Sequence, residues 1–268
     1  MDDSSSSVNH HSNNNHNSSK KEEFNFPKAL KDNQSFPELD SNKKSKDIFK
    51  QLESLRKVAE NLKEDDWYYR ILQSRQWIND SLIEFWYEYL THNLFKEYSN
   101  QLLCLSPSLT QLIKMTDSMD EIQAILQPLE IQQRKLILIP MNDNLSYDYG
   151  GSHWSLLVFI NDDGDDQSRL EYYDSANQEQ HKEMMINIKI IGSKLSQLLS
   201  CDPDIHFKQC HPQEDGYNCG IHLICNSNAI CQKYLNNDQR SITTIITNEQ
   251  IRSFRIELID IIDRLKSK

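Results

Sequence analysis

The sequence predicts a single α+β domain in which helices flank a small mixed sheet. Short continuous apolar runs, which are typical of strands, occur near the middle of the chain, and apolar residues at helical spacing occur on both sides of them. Consecutive, mostly hairpin-related strands between helices are typical of α+β domains. The predicted domain, 47–268, has roughly 220 residues, enough for one core that buries about 70% of the unfolded surface.

Residues 1–46 precede this domain and differ from it in composition. They open with MDDSSSSVNHHSNNNHNSSK, a Ser, Asn and His tract that cannot bury enough apolar surface to offset its ordering entropy. We therefore predict a disordered tail. The basic run at 43–46 is a weak candidate for a nuclear-import signal, and a solvated charge run is the simpler interpretation.

The first helices of the domain are predicted from apolar spacing and from capping residues. Residues 47–63 carry apolar side chains at helical spacing. A second helix is predicted to start just after Trp77–Asp80, because Ser81 and Glu84 have the spacing of a capping box. Two short apolar helical patterns follow within 100–134.

The apolar period then changes from helical to strand-like. Leu136–Pro140 and His153–Ile160 are short continuous apolar runs, and Arg169–Asp174 follows a turn signal at Gly164, which predicts a hairpin. The remaining elements are predicted as a helix at 179–200, a strand at 205–210, a helix at 219–235 and a final helix capped by Thr247 and Gln250.

Composition restricts the function classes. The net charge of −11 argues against nucleic acid as the main partner, because phosphate binding relies on clustered Lys and Arg, and it favours a protein partner with a basic face. The sequence shows no secretory h-region near its start and no apolar stretch approaching the ~20 residues of a membrane span. Six cysteines without a C-x-x-C pair fit a reducing compartment. We expect a cytoplasmic or nuclear monomer that binds neither nucleic acid nor membrane and needs no cofactor or metal ion.

Three polar residues stand at predicted element boundaries: His153 starts one strand, Asp174 ends the next, and Cys219 opens a helix. A hairpin places the start of its first strand beside the end of its second. We therefore expect His153 and Asp174 within hydrogen-bond reach, with the carboxylate orienting the imidazole as a base. Helix N–H groups and the helix dipole stabilise a thiolate at Cys219. Gln213, six residues earlier, offers a neutral N–H donor to an oxyanion.

Each of these residues also has a structural interpretation. A single His on a strand is more often structural, an Asp after a strand is usually a turn or cap residue, and a buried Cys is normally a small hydrophobic side chain. We interpret four cysteines in this last way: Cys104, Cys201, Cys225 and Cys231. A zinc site that combines Cys210 with neighbouring His and Cys residues lacks the paired spacing of structural zinc sites.

Four sequence blocks resemble the sentrin-specific, or Ulp-type, cysteine proteases in their order and spacing. These blocks are Trp77–Asp80, Gly150–Leu157, Tyr173–Ser175 and Gln213–Gly220. The resemblance spans about residues 65–235. The four blocks together are highly specific, whereas an isolated His-Trp or Asn-Cys-Gly would be a weak signal.

Within this family the chain looks most similar to the deneddylase branch. Pro140–Asn144 and Cys225–Cys231 carry that similarity. Two positions depart from the family pattern, since Asn218 stands where Asp is common and His222 stands where a bulky apolar or aromatic residue is usual. Neither departure changes the four candidate catalytic groups.

The resemblance implies a papain-like cysteine protease fold. It also implies an isopeptidase or endopeptidase that hydrolyses the bond after the C-terminal Gly-Gly of a ubiquitin-like modifier. The deneddylase branch implies the cullin modifier as substrate, with modified cullins among the conjugates. His153, Asp174, Cys219 and Gln213 match the family's catalytic positions.

The family also implies a substrate channel. Trp77 and Trp154 are expected to wall a narrow passage for Gly-Gly, although both can instead be core aromatics. Asp80 is expected on an acidic face that pairs with basic groups of the modifier. A SUMO-cleaving protease of the same family is the nearest alternative. A catalytically inactive binder and an acyltransferase are further alternatives, although no Gly-rich or basic stretch suits an acyl donor.

Overall fold

The computed structural model covers most of the predicted domain. The described residues are 67–146, 150–161, 168–176, 182–202 and 204–266. The predicted tail at 1–46, the predicted helix at 47–63 and the predicted turn at Gly164 lie outside these ranges.

A five-stranded sheet forms the centre of the fold. Its strands are β1 (Leu102–Cys104), β2 (Leu136–Asn142), β3 (Trp154–Ile160), β4 (Arg169–Tyr173) and β5 (Ile205–Lys208). They lie in sequence order, with antiparallel pairs β2–β3 and β3–β4 and parallel outer pairs β1–β2 and β4–β5. The predicted small mixed sheet is therefore confirmed, and β5 ends two residues earlier than predicted.

Helices pack around this sheet. They are α1 (Trp67–Gln73), α2 (Asp80–Tyr89), α3 (Pro107–Met115), α4 (Met119–Leu126), α5 (Lys182–Leu199), α6 (Cys219–Leu235), α7 (Ile242–Ile245) and α8 (Asn248–Lys266). A π-helix, Leu90–Leu94, continues α2, and three short 3₁₀ turns complete the described secondary structure. None of the helices in the described ranges is long and apolar enough to cross a membrane.

Burial on both faces of the central strands explains why their sequences are continuously apolar. All seven residues of β3 are buried. Leu157 and Phe159 belong to a core cluster that also contains Ile188 and Ile191 of α5. Successive strand residues face opposite sides, so the alternate residues of β3 point away from that cluster. Helix α6 packs against β3 and β2.

The predicted capping box at Ser81 and Glu84 is wrong. Helix α2 begins at Asp80, and its cap is Asn79, whose extended backbone lets its side-chain oxygen accept a hydrogen bond from the Leu82 N–H at 3.2 Å. An Asn side chain satisfies a free N–H at the helix start as well as a Ser side chain does. The helix therefore begins at Asp80 and not after Ser81.

The capping box at the start of α8 is confirmed. The Gln250 N–H donates to Thr247 Oγ1 at 3.3 Å, and the Thr247 N–H donates to Gln250 Oε1 at 2.6 Å.

Candidate active site

His153 and Asp174 meet at one edge of the sheet. In the antiparallel register, Leu156 of β3 lies opposite Tyr173 of β4, so the residue before β3 approaches the residue after β4. The His153 Nε2 and Asp174 Oδ1 atoms are 2.7 Å apart, and the two side chains are 3% and 2% exposed. The strand pairing thus brings together the two residues that the sequence placed at strand ends.

Further hydrogen bonds hold the Asp174 carboxylate in place. Its Oδ1 accepts from the Ala176 N–H at 2.9 Å, and its Oδ2 accepts from the Tyr172 hydroxyl at 2.9 Å. Burial alone raises the pKa of Asp174, but hydrogen bonds and charge from His153, together with the bonds from Ala176 and Tyr172, lower it below its usual value. Asp174 is therefore a charged carboxylate with a fixed orientation.

Cys219 is the first residue of α6 and is only 2% exposed. The start of this helix lies directly against the segment between α1 and α2. A Cβ on Gly220 would lie 2.6 Å from the Ile78 Cβ, a distance that real Cβ atoms do not reach. Glycine after Cys219 is thus required for the helix to approach Ile78 this closely.

The His153 imidazole connects Cys219 to Asp174. Burial lowers the pKa of His153, but hydrogen bonds with Asp174 and Cys219 and the charges of these two partners outweigh it and raise the pKa to about 9. Because Nε2 bonds to Asp174, Nδ1 is the nitrogen available to the Cys219 sulfur. An imidazole beside a sulfur is the base that accepts the thiol proton when cysteine acts as a nucleophile.

Gln213 lies beside the residue that follows Asp174. Its N–H donates to the Ser175 carbonyl at 2.8 Å, and its Oε1 accepts from the Ser175 hydroxyl at 2.9 Å. Its Nε2 donates one hydrogen to the Asp215 carbonyl at 2.8 Å, which leaves the second amide hydrogen for another acceptor. The side chain is thus anchored at three points in the loop that leads to Cys219.

His153 lines a cleft of about 540 Å³. Trp77, Asp80 and Trp154 all line it, so the three predicted substrate-binding residues lie together, whereas Cys219 and Gln213 are outside the lining set. Trp77 is half exposed, and its Nε1 donates to the Gly216 carbonyl at 2.7 Å. Trp154 is 7% exposed and donates to the Ile78 carbonyl at 2.9 Å. Trp77 is therefore a surface wall of the cleft, whereas Trp154 is a largely buried one.

Asp143 is a site residue that was not among the sequence candidates. Its Oδ1 accepts from the Ser152 N–H at 2.7 Å and from the His153 N–H at 3.1 Å, and its Oδ2 accepts from the Ser152 hydroxyl at 2.7 Å. These bonds fix the backbone that carries the imidazole. The polar tripeptide Asn142–Asn144 is the only sequence signal for this role, because Asn and Asp side chains commonly bond to loop backbone.

Two further contacts support the Asp143 loop. The buried Lys114 ammonium donates to the carbonyls of Asn142, at 3.2 Å, and of Asn144. Gly151 has a φ of +93°, and a Cβ there would lie 1.9 Å from Asn142 Oδ1, so only glycine fits this position of the cleft wall. Across the described ranges, no group of three or more His, Cys, Asp or Glu side chains is placed to hold a metal ion.

A buried thiol, imidazole and carboxylate in this order are the reactive groups of a cysteine protease. The family model described as the Ulp1 protease family, C-terminal catalytic domain, matches residues 76–268. The chain belongs to this family of cysteine proteases, which confirms the resemblance seen in the four sequence blocks.

Curated relatives and solved structures agree with this assignment. The chain is 33% identical to the mouse sentrin-specific protease 8 over 201 residues, which cover 74% of this chain and 87% of the relative. It is 27% identical to the Arabidopsis thaliana NEDD8-specific protease 1 over 174 residues, 60% of this chain and 69% of that one. A solved structure of the SUMO protease Ulp1 superposes with a TM-score of 0.57 at 17% identity, covering 85% of this chain and 98% of that one. The predicted papain-like fold is confirmed.

Proposed function

We propose that this protease hydrolyses the bond after the C-terminal Gly-Gly of the ubiquitin-like modifier NEDD8, in precursors and in conjugates such as modified cullins. The observation that carries the catalytic part of the proposal is the chain of contacts from Asp174 through His153 to Cys219. The NEDD8 preference is supported by the relatives named as NEDD8-specific and sentrin-specific proteases.

The proposed reaction begins at Cys219. Its Sγ attacks the carbonyl carbon of the last glycine while the thiol proton resides on His153 Nδ1. The oxygen of the tetrahedral intermediate accepts hydrogen bonds from the Cys219 N–H at the start of α6 and from the second amide hydrogen of Gln213. His153 then protonates the leaving amine, which is a lysine side chain in a conjugate or an α-amine in a precursor.

A thioester between Cys219 and the modifier remains after the amine has left. Water attacks its carbonyl, His153 accepts the water proton, and collapse of the second tetrahedral intermediate returns the sulfur and releases the free modifier. Asp174 keeps Nε2 protonated and Nδ1 directed at the sulfur in both halves. Because all these groups come from one chain, the protease acts as a monomer in this proposal.

The residues that line the cleft support the proposed requirement for Gly-Gly. Trp77 and Trp154 line it together with Gly150 and Gly151, and a Cβ added at Gly151 would clash with Asn142 Oδ1 in the wall. In this proposal the two indoles hold an extended backbone without side chains and exclude a larger side chain. Since ubiquitin, SUMO and NEDD8 all end in Gly-Gly, discrimination falls to groups farther from the bond. Asp80, exposed at the cleft, is the candidate partner for a basic group of the modifier.

Comparative kinetics test this proposal. NEDD8, SUMO and ubiquitin are each fused through Gly-Gly to the same reporter, and kcat/KM is measured for each. We expect NEDD8 to be cleaved fastest and ubiquitin to be rejected. Asp80→Asn should reduce the difference between modifiers, whereas Asp120→Asn, which removes the same charge from an exposed site outside the cleft lining, should leave it unchanged. Equal or faster cleavage of SUMO would contradict the assigned modifier while leaving the chemistry intact.

A further inference from the structure

Arg255 of α8 is a buried arginine whose whole guanidinium is used. It is 9% exposed. Its five N–H donors meet five acceptors: Nε donates to Asn218 Oδ1 at 2.8 Å, Nη1 to the carbonyls of Ile71 at 2.7 Å and Ser74 at 3.2 Å, and Nη2 to the carbonyls of Gln76 at 2.7 Å and Tyr217 at 3.3 Å. A guanidinium has five such donors, so none is left over.

The five acceptors belong to two segments that border the site. Ile71 lies in the last turn of α1, and Ser74 and Gln76 lie between α1 and Trp77, the exposed wall of the cleft. Tyr217 and Asn218 directly precede Cys219. Through these bonds, one side chain fixes the position of the cleft wall relative to the residue at the start of α6.

Among the described residues, no direct ion pair neutralises the positive charge of Arg255. Its five acceptors are four carbonyls and one neutral amide, and Asp215 is reached only through Asn218, whose Nδ2 donates to Asp215 Oδ2 at 2.7 Å. Burial lowers the pKa of Arg255, and Tyr217, Asp215 and Cys219 oppose this effect electrostatically. An arginine remains protonated even so.

We propose that Arg255 is a positioning residue of this protease, which ties the Trp77 wall to the loop that leads to Cys219. The inference rests on the proposed role of Cys219 as the nucleophile. The Arg255 side chain supplies both five directed hydrogen bonds and a positive charge. A lysine, with three donors on a single nitrogen, cannot reproduce the five bonds, but it keeps the charge.

Two variants, Arg255→Met and Arg255→Lys, separate the hydrogen bonds from the charge. Arg264→Met is the matched control, because Arg264 is exposed on the same helix and its Nε donates to the Asp260 carbonyl of that helix. Values of kcat and KM are measured on the NEDD8 reporter for the wild type and each variant. Arg255→Met removes the charge and all five hydrogen bonds and should lower kcat/KM about 10²-fold. Arg255→Lys keeps the charge but should still raise KM, because the cleft wall loses its anchor.

The outcomes distinguish this inference from the proposed function. A folded Arg255→Met protein with the kcat/KM of the wild type, or an Arg255→Lys protein with an unchanged KM, overturns the inference. If Arg255→Met does not fold, Arg255→Lys alone decides, through its KM. Full activity of Cys219→Ala would instead refute the proposed nucleophile, whatever the Arg255 variants show.

Discussion

The sheet side of the active site and its helix side are held in different ways. On the sheet side, His153 and Asp174 follow from strand register and are buried at 3% and 2% exposure. On the helix side, Cys219 follows a loop that is held by side-chain hydrogen bonds from Asp215 and from Arg255 of α8, a helix distant in sequence. The comparison teaches that backbone pairing places His153 and Asp174, whereas Cys219, although it is equally buried, is placed by side-chain contacts that single substitutions remove.

The largest expected effects lie on the sheet side. His153→Ala removes the proposed base and should lower kcat by roughly 10⁶-fold. Asp174→Asn keeps the shape and the acceptor for Ala176 but loses the charge, so the loss should be smaller, up to roughly 10⁴-fold. Steady-state kinetics on one NEDD8 reporter measure both. Equal, small losses in the two variants would show that this edge of the sheet is structural only.

Gln213→Ala tests the loop side. If the free amide hydrogen stabilises the oxyanion, kcat should fall by roughly 10²–10³-fold with little change in KM. Ser175→Ala serves as the control, because it removes the hydroxyl that orients Gln213 without removing the donor, and it should cost less. A loss of tenfold or less in Gln213→Ala would assign this residue to loop structure alone.

The pH dependence of stability tests the sheet side without substrate. The folded pKa of His153 is about 9, above the value of about 6.5 expected in the unfolded chain. A raised pKa means that the stabilising contribution is fully present below about pH 6.5 and is lost as the pH rises to about 9. Between pH 6 and 9.5, urea unfolding of the wild type should lose up to about 3 kcal/mol more than that of His153→Gln. Parallel losses in the two proteins would contradict the raised pKa.

The smallest expected effect concerns the support of His153 by Asp143. Asp143→Ala leaves the N–H groups of Ser152 and His153 without their acceptor and should lower kcat/KM about tenfold, the size of a lost hydrogen bond to a charged group. Asp143→Asn keeps Oδ1 and should be affected less. If both variants match the wild type, the loop holds His153 through Lys114 and Asn142 instead.

The sequence predicted the sheet side of the site better than the helix side. Strand periodicity and hairpin connection suffice to bring His153 to Asp174, and an apolar helical pattern suffices to start α6 at Cys219. The contacts of Arg255 join residues 37 to 184 positions apart, and no local pattern encodes such a distance. The cap at Asn79 was misassigned for a different reason, since Asn, Asp and Ser in adjacent positions are all good caps and only the backbone geometry selects one.

The central claim is that Cys219 is the nucleophile of a NEDD8 protease, and covalent trapping tests it most directly. NEDD8, SUMO and ubiquitin, each ending in an electrophile in place of the last carboxylate, are incubated with the wild type, Cys219→Ala and His153→Ala, and adducts are located by mass spectrometry. We expect a single adduct on Cys219 that forms fastest with NEDD8, forms slowly in His153→Ala and is absent in Cys219→Ala. An adduct on another cysteine, or one that persists in Cys219→Ala, would contradict the account.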